Sequence, residues 1–397
     1  MFQKLEPLGG DPILALMAAY RADPSTEKVD LGVGVYQDEQ GTTPVLRAVT
    51  AAEQVLLDEQ TTKVYVGIAG SEAFNASVQA LMFGADHPAA AEGRITTVQS
   101  TGGSGGLRVA AEFLNSVRPG CRIWVTTPTW PNHRPLLGAA GLDIQEIPYY
   151  DAKAGAIDVA AMLGGIEAIP DGDVLLLHGC CHNPTGADLT LAQWQAVTKL
   201  CVKKNLLPFI DTAYQGFAEG LDEDAAGLRV LAANVPELIA VASCSKNFGL
   251  YRERTGALSV ITASAESAAA TRSHLMKIVR AMISMPPDHG AAIVAQILGD
   301  DALRAMWLEE LAEMRERMRG QRRDFAAAMA ERGFERFGFM ADQYGMFSLL
   351  GVEPDVIMTM REQHHVYIVG SGRVNVAGLT SSKLPYVADA LAATLSD

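Results

Sequence analysis

The middle of the chain repeats one pattern: a short apolar run, a polar or glycine-rich turn, then a helical pattern. The runs fall at 94–98, 122–126, 174–178, 206–210, 238–242 and 257–262. Runs that are apolar on both faces and separated by helices predict βαβ units and a mostly parallel sheet with helices on both faces, an α/β fold. The 49% hydrophobic and 20% charged content excludes disordered and low-complexity classes.

After residue 300 the rhythm stops. Leu303, Trp307, Leu311, Met314, Met318, Phe325 and Met329 recur mostly at helical spacings, predicting one long amphipathic helix over 300–332, bent near Gly320. Its cluster Arg315, Arg317, Arg319, Arg322 and Arg323 is interspersed with Glu313, Glu316 and Asp324, and reads as a solvated face without chemistry. Shorter strands are expected at 334–350, 366–369 and 373–376, in a smaller α+β unit that recruits the N-terminal segment. The expected division is 1–43 as arm and part of the small unit, 44–299 as the large unit, and 300–397 as connecting helix and small unit.

A net charge of −14 repels phosphate backbones and anionic membranes, so neither nucleic acid nor a membrane is an expected partner. No apolar stretch reaches the roughly 18 residues of a membrane helix, and residues 1–7 lack a signal-peptide pattern, so a cytoplasmic location is expected. The odd set Cys121, Cys180, Cys181, Cys201 and Cys244 fits reduced thiols.

In a parallel sheet the ligand crevice lies beyond the carboxyl ends of the strands, so the residues that follow each run are the informative ones. The first run leads into Thr101-Gly102-Gly103-Ser104-Gly105-Gly106 and a helical pattern, which reads as a cradle where backbone N–H groups meet a phosphate. It lacks both the dinucleotide spacing and a Gly-Lys-Ser/Thr ending. The second delivers Trp130 between prolines, placed to stack on a planar ligand. The third delivers His178, Cys180, Cys181 and His182, too crowded to wrap a tetrahedral ion, so no metal is expected. Asn183-Pro184-Thr185-Gly186 follows as a rigid turn presenting an amide. The fourth delivers Asp211 and Tyr214, and a carboxylate at the end of an apolar strand needs a cationic partner. The fifth delivers Lys246 with Arg252 and Arg254 nearby, a setting that depresses an amine's pKa and makes it a carbonyl nucleophile.

Phosphate cradle, stacking aromatic, buried acid and nucleophilic lysine on one sheet edge are the parts needed to hold pyridoxal phosphate. With these parts, Leu31 to Tyr36, Cys180 to Gly186, Asp211 to Phe217, Ser243 to Arg254 and Ser371 to Leu379 make the chain resemble the class I aminotransferases of the fold-type I pyridoxal-phosphate enzymes, in the aspartate and aromatic-amino-acid subgroup. The resemblance spans nearly the whole chain. It implies that Lys246 anchors the cofactor and shuttles the proton, that Asp211 pairs with the ring nitrogen with His133 behind it, and that Tyr214 and Asn183 meet the ring's 3-oxygen. Trp130 would stack on the ring. Arg254, Ser243, Ser245, Ser104, Gly102 and Gly103 would hold the phosphate, with Tyr65 reaching in from a second subunit.

For the substrate, the resemblance makes Arg373 the α-carboxylate clamp, Gly34 part of a loop that closes over it, and Arg280 a side-chain carboxylate partner contributed by the neighbouring chain. It thereby implies a homodimer with shared active sites. Val64, Met282, Ile283 and Met285 stand where aspartate-specific relatives often carry polar residues, and favour a site that takes either a carboxylate or an aromatic ring. The resulting expectation is a transaminase acting on aromatic amino acids or aspartate with 2-oxoglutarate. A dedicated aspartate aminotransferase and, more remotely, a lyase of the same fold type remain open.

Overall fold

A computed structural model of the chain describes residues 2–7 and 9–396. Its centre is a seven-stranded sheet. In chain order the strands are β1 (Ile95–Thr101), β2 (Arg122–Thr127), β3 (Asp143–Pro148), β4 (Val174–His178), β5 (Leu207–Thr212), β6 (Leu238–Ser243) and β7 (Thr255–Ile261). Across the sheet they run β1-β7-β6-β5-β4-β2-β3. The pairs β6/β5, β5/β4, β4/β2 and β2/β3 are parallel, whereas β7 is antiparallel to both its neighbours. The run at 257–262 is therefore the one that breaks the parallel pattern. The strand β3 was not expected at all: it is an edge strand, mostly half-buried or exposed, and its Asp143-Ile144-Gln145-Glu146 sequence carries no apolar run.

Two-residue periodicity divides the sheet's side chains between its faces. Val174, Leu176, Phe209, Ile239 and Val241 enter one apolar cluster, covered by helix α1 (Gly102–Val117) and by α2 (Ala265–Ile283). Leu175, Leu177, Ile210, Ala240 and Ala242 enter the other, which includes Trp194, Leu228, Leu231 and Trp307. Burial on both faces explains why these strands read as continuous apolar runs.

The long helix α3 spans Asp301–Glu331 without interruption through Gly320. Asp300 caps it by accepting from the N–H groups of Ala302 and Leu303. The expected solvated arginine face is only partly solvated. Arg322 is buried, and Arg317 donates to the carbonyl oxygens of Gln37, Asp38 and Ala377. Both arginines grip neutral carbonyls, Arg317 beside a further pair with Glu39, a use of charge that no charge pattern along the sequence reveals. Beyond α3, the stretch expected as strand over 334–350 is a 3-10 helix, Glu335–Asp342, followed by a short strand, Phe347–Leu349. That strand pairs with Arg373–Asn375. Val366–Tyr367 pairs with Val29–Asp30, which brings the N-terminal segment beside the C-terminal one.

Candidate active site

The carboxyl ends of the parallel strands meet in a cavity of about 290 Å³. Gly34, Gly103, Ser104, Trp130, Asn183, Asp211, Tyr214, Ser243, Ser245, Lys246, Arg254 and Arg373 all line it. The topology explains the convergence. Asp211 is carried near the end of β5, opposite His178 of β4, and Lys246 follows the end of β6. Because β7 runs backwards, Arg254 enters it at this same edge.

At the start of α1, Gly102 has φ +68°, and a Cβ there would lie 2.6 Å from Nη2 of Arg254. Only glycine lets the guanidinium approach the helix start so closely. Arg254 also donates to Ser245 Oγ at 3.3 Å and to Tyr251 O at 3.1 Å. A guanidinium, two serines and the N-terminus of a 16-residue helix converge here on an anion-sized space.

Deeper in, Asp211 Oδ2 lies 3.0 Å from His133 Nε2, and His133 Nδ1 lies 2.8 Å from Thr129 Oγ1. His133 therefore donates to the carboxylate from Nε2. Burial pushes the Asp211 carboxyl upward, but the His133 hydrogen bond and the nearby His133, His178 and Lys246 outweigh it and hold the group below its ordinary value. Burial lowers the Lys246 ammonium to about 8; Asp211 opposes that shift and Arg254 adds to it. Its Nζ sits 4.7 Å from the centre of the Tyr214 ring. Burial also raises the Tyr214 phenol well above its ordinary value, with Arg373 opposing.

Four sequence-selected residues lie elsewhere. His133 stands behind Asp211, and Gly102 stands at the helix start beside the cavity. Tyr65 is 90% exposed, and Arg280, near the end of α2, is exposed and donates to its neighbour Ser284. Neither reaches the cavity of its own chain. Sequence reasoning missed Ile13, His178, Tyr251 and Phe347 as lining residues. In the sequence His178 stands out only as one member of the crowded His/Cys cluster. Burial, with His133 nearby, lowers its imidazole to about 3, so it is neutral. Tyr251 Oη accepts from the Tyr36 N–H at 2.8 Å, a contact spanning most of the chain that no local motif signals.

The fold and this cavity define a pyridoxal-phosphate-dependent aminotransferase, and the chain belongs to the aminotransferase class I and II family, whose model matches residues 26–391. It is 48% identical to an aromatic-amino-acid aminotransferase of Pseudomonas aeruginosa, over all of this chain and 99% of that one. It is equally 48% identical to an aspartate aminotransferase of Salmonella typhi, over the full length of both. Among solved structures, an aromatic-amino-acid aminotransferase from Burkholderia pseudomallei, covalently bound to pyridoxal phosphate, superposes with a TM-score of 0.97 at 43% identity, covering 100% of this chain and 99% of that one.

The residues present fit that cofactor. Asn183 Oδ1, both ring nitrogens of His178 and Arg373 Nε are buried without a hydrogen-bond partner, although they belong to residues that face one cavity. Unpaired buried polar atoms are costly, and their convergence marks a place made for a polar ligand. The glycine cradle suits its phosphate, Asp211 its ring nitrogen, and the buried amine its aldehyde.

Proposed function

We propose that the protein exchanges amino groups between aromatic amino acids or aspartate and 2-oxoglutarate, in a ping-pong reaction. The observation that carries this reading is the gathering of Lys246, Asp211, Asn183 and Arg373 in one cavity while Arg280, Val64 and Met282 face outward. Pyridoxal phosphate, when bound, supplies the carbonyl that takes the amino group and the electron sink for the α-carbon. Lys246 would be the covalent anchor and, once displaced, its Nζ would carry the proton between the substrate's α-carbon and the cofactor's carbonyl carbon. An amine near pH 8 is close enough to neutrality to do both. Asp211, kept ionised by His133, holds a proton on the ring nitrogen. Tyr214 and Asn183 donate to the ring's 3-oxygen. Arg254, Ser104, Ser243, Ser245, Gly102 and Gly103 hold the phosphate, and Trp130 covers the ring face.

Arg373 takes the substrate α-carboxylate through a planar pair of N–H donors that lysine has no means to match. Gly34 belongs to the loop that closes on it. Arg280 and Tyr65 serve the active site of a second copy, so the working unit is a homodimer. The division 1–43, 44–299 and 300–397 is our reading of the domains. We read the location as cytoplasmic, a reading supported by the free, buried Cys121, Cys180, Cys181, Cys201 and Cys244; among the described residues no helix is long and apolar enough to cross a membrane.

Dual specificity follows from a balance. A side-chain carboxylate gains a pair with Arg280 worth on the order of 2–5 kcal/mol on truncation, and an aromatic ring gains about 2–3 kcal/mol by burial against Val35, Val64 and Met285. Arg280→Ala should therefore lower kcat/KM for aspartate by a hundredfold or so, and much less for phenylalanine. Negligible activity of the parent on phenylalanine and tyrosine would leave a dedicated aspartate enzyme.

A further inference from the structure

Arg322 is buried to 1% exposure in α3, and every hydrogen-bond partner it has is a neutral oxygen. Its Nη2 donates to the carbonyls of Tyr344, Gly345 and Phe347 at 2.9, 2.9 and 2.7 Å. Its Nη1 donates to Ser348 Oγ at 2.5 Å and Met340 O at 3.5 Å, and its Nε to Gly345 O at 3.3 Å. Burial pulls the guanidinium down to about 10, against the opposing influence of Cys181, Asp188 and Tyr150. A methionine or leucine would fill the volume without desolvating a charge, so volume alone does not account for an arginine here. What the fork adds is the geometry of the segment 344–348.

That segment joins two groups of the active site. On one side the Tyr344 N–H donates to Gly186 O at 2.8 Å. Gly186 has φ +71°, and a Cβ on it would lie 2.3 Å from Phe347 O. The segment thus rests directly on the turn that carries Asn183. On the other side Phe347–Leu349 pairs with Arg373–Asn375, Leu349 standing opposite Arg373. The Phe347 ring lies 4.2 Å from the Arg373 guanidinium carbon and edge-on to Tyr214, centroids 6.1 Å apart.

We infer that Arg322 is a positioning residue for the substrate α-carboxylate: by gripping the carbonyls of residues 344, 345 and 347 it sets the separation between Arg373 and Asn183. The inference rests on the reading that Arg373 binds that carboxylate. It touches neither the phosphate cradle nor the Asp211–His133 pair. Loss of the fork should therefore weaken carboxylate binding while leaving the grip on the cofactor's phosphate and ring nitrogen alone.

The test is a spectral titration of the holoenzyme with 3-phenylpropionate, a carboxylate that has no amino group to react. Arg322→Met, which keeps volume, and Arg322→Lys, which keeps charge without the fork, should each weaken its binding by about tenfold or more. Affinity for pyridoxal phosphate and the aspartate-to-phenylalanine ratio of kcat/KM should each stay within about twofold, the first because the phosphate cradle is untouched and the second because both substrates share the α-carboxylate. Parental affinity for 3-phenylpropionate in either variant overturns the inference, as does a loss of pyridoxal phosphate affinity large enough to account for the weaker carboxylate binding. Where Arg322→Met does not fold, Arg322→Lys decides, with Ser348→Ala, which removes one Nη1 partner, expected to weaken binding in the same direction. Arg373→Ala separates the two readings: if it binds 3-phenylpropionate like the parent, the assignment of Arg373 fails, whereas its loss of binding alongside intact Arg322 variants sinks the present inference alone.

Discussion

Lys246 carries its amine in a place that disfavours charge, and that has a cost before any cofactor arrives. Its folded-state value, about 8, lies below the ordinary 10.5. Between those values the unfolded chain holds the proton and the folded one does not, so stability rises with pH across that window. The penalty is full below about pH 8 and gone above 10.5, and a shift of that size corresponds to roughly 3 kcal/mol. The cofactor-free Lys246→Met protein should accordingly be more stable than the cofactor-free parent at pH 7 by about that amount, with the gap closing as pH rises past 10. Chemical denaturation of both proteins at the two pH values measures it. A gap of equal size at both would mean that packing, not charge, separates them.

At the scale of elements, the first turn of α1 is held to one geometry by Arg254. Gly102→Ala puts a methyl into the guanidinium and a side chain at φ +68°, a strain of about 1–2 kcal/mol. We expect cofactor affinity to fall on the order of tenfold. Titration of the cofactor-free variant with pyridoxal phosphate checks this, and unchanged affinity would remove Arg254 and the helix start from the phosphate site. Lys246, Asp211 and Asn183 were legible in the sequence because parallel strands deliver chemistry at their carboxyl ends, shortly after apolar runs that are easy to see, whereas the place of Arg254, just before the reversed strand β7, came only with the resemblance. The polar edge strand β3 was not, because a strand with little to bury has little pattern to show. Nor was the burial of Arg322: all but one of its partners are carbonyl oxygens, which every residue has and no sequence displays. Ile13 and Phe347 reach the cavity through contacts between distant parts of the chain.

For the whole molecule, Tyr65, Val64, Met282 and Ile283 are exposed on a chain with a well-buried core, and on the proposed reading they meet a second copy. A homodimer with exchanged residues predicts complementation. Lys246→Ala and Arg280→Ala proteins, the first inactive and the second poor on aspartate, should regain aspartate turnover when mixed under conditions of subunit exchange, because some hybrid sites carry both residues. Exchange demonstrated without recovery would argue that Arg280 acts within its own chain or not at all. The same chain has a second kind of incompleteness, in time. Among the described residues, the strand β1 meets the sheet only through β7, with Thr101 opposite Thr255. On the ribosome, at roughly 5–20 residues per second, β1 waits about ten seconds or longer for its sole partner. The cradle that joins Gly102 to Arg254 closes in the same event. A nascent chain therefore lacks the completed cradle until the sheet is sealed, and we expect pyridoxal phosphate to bind tightly only after that event.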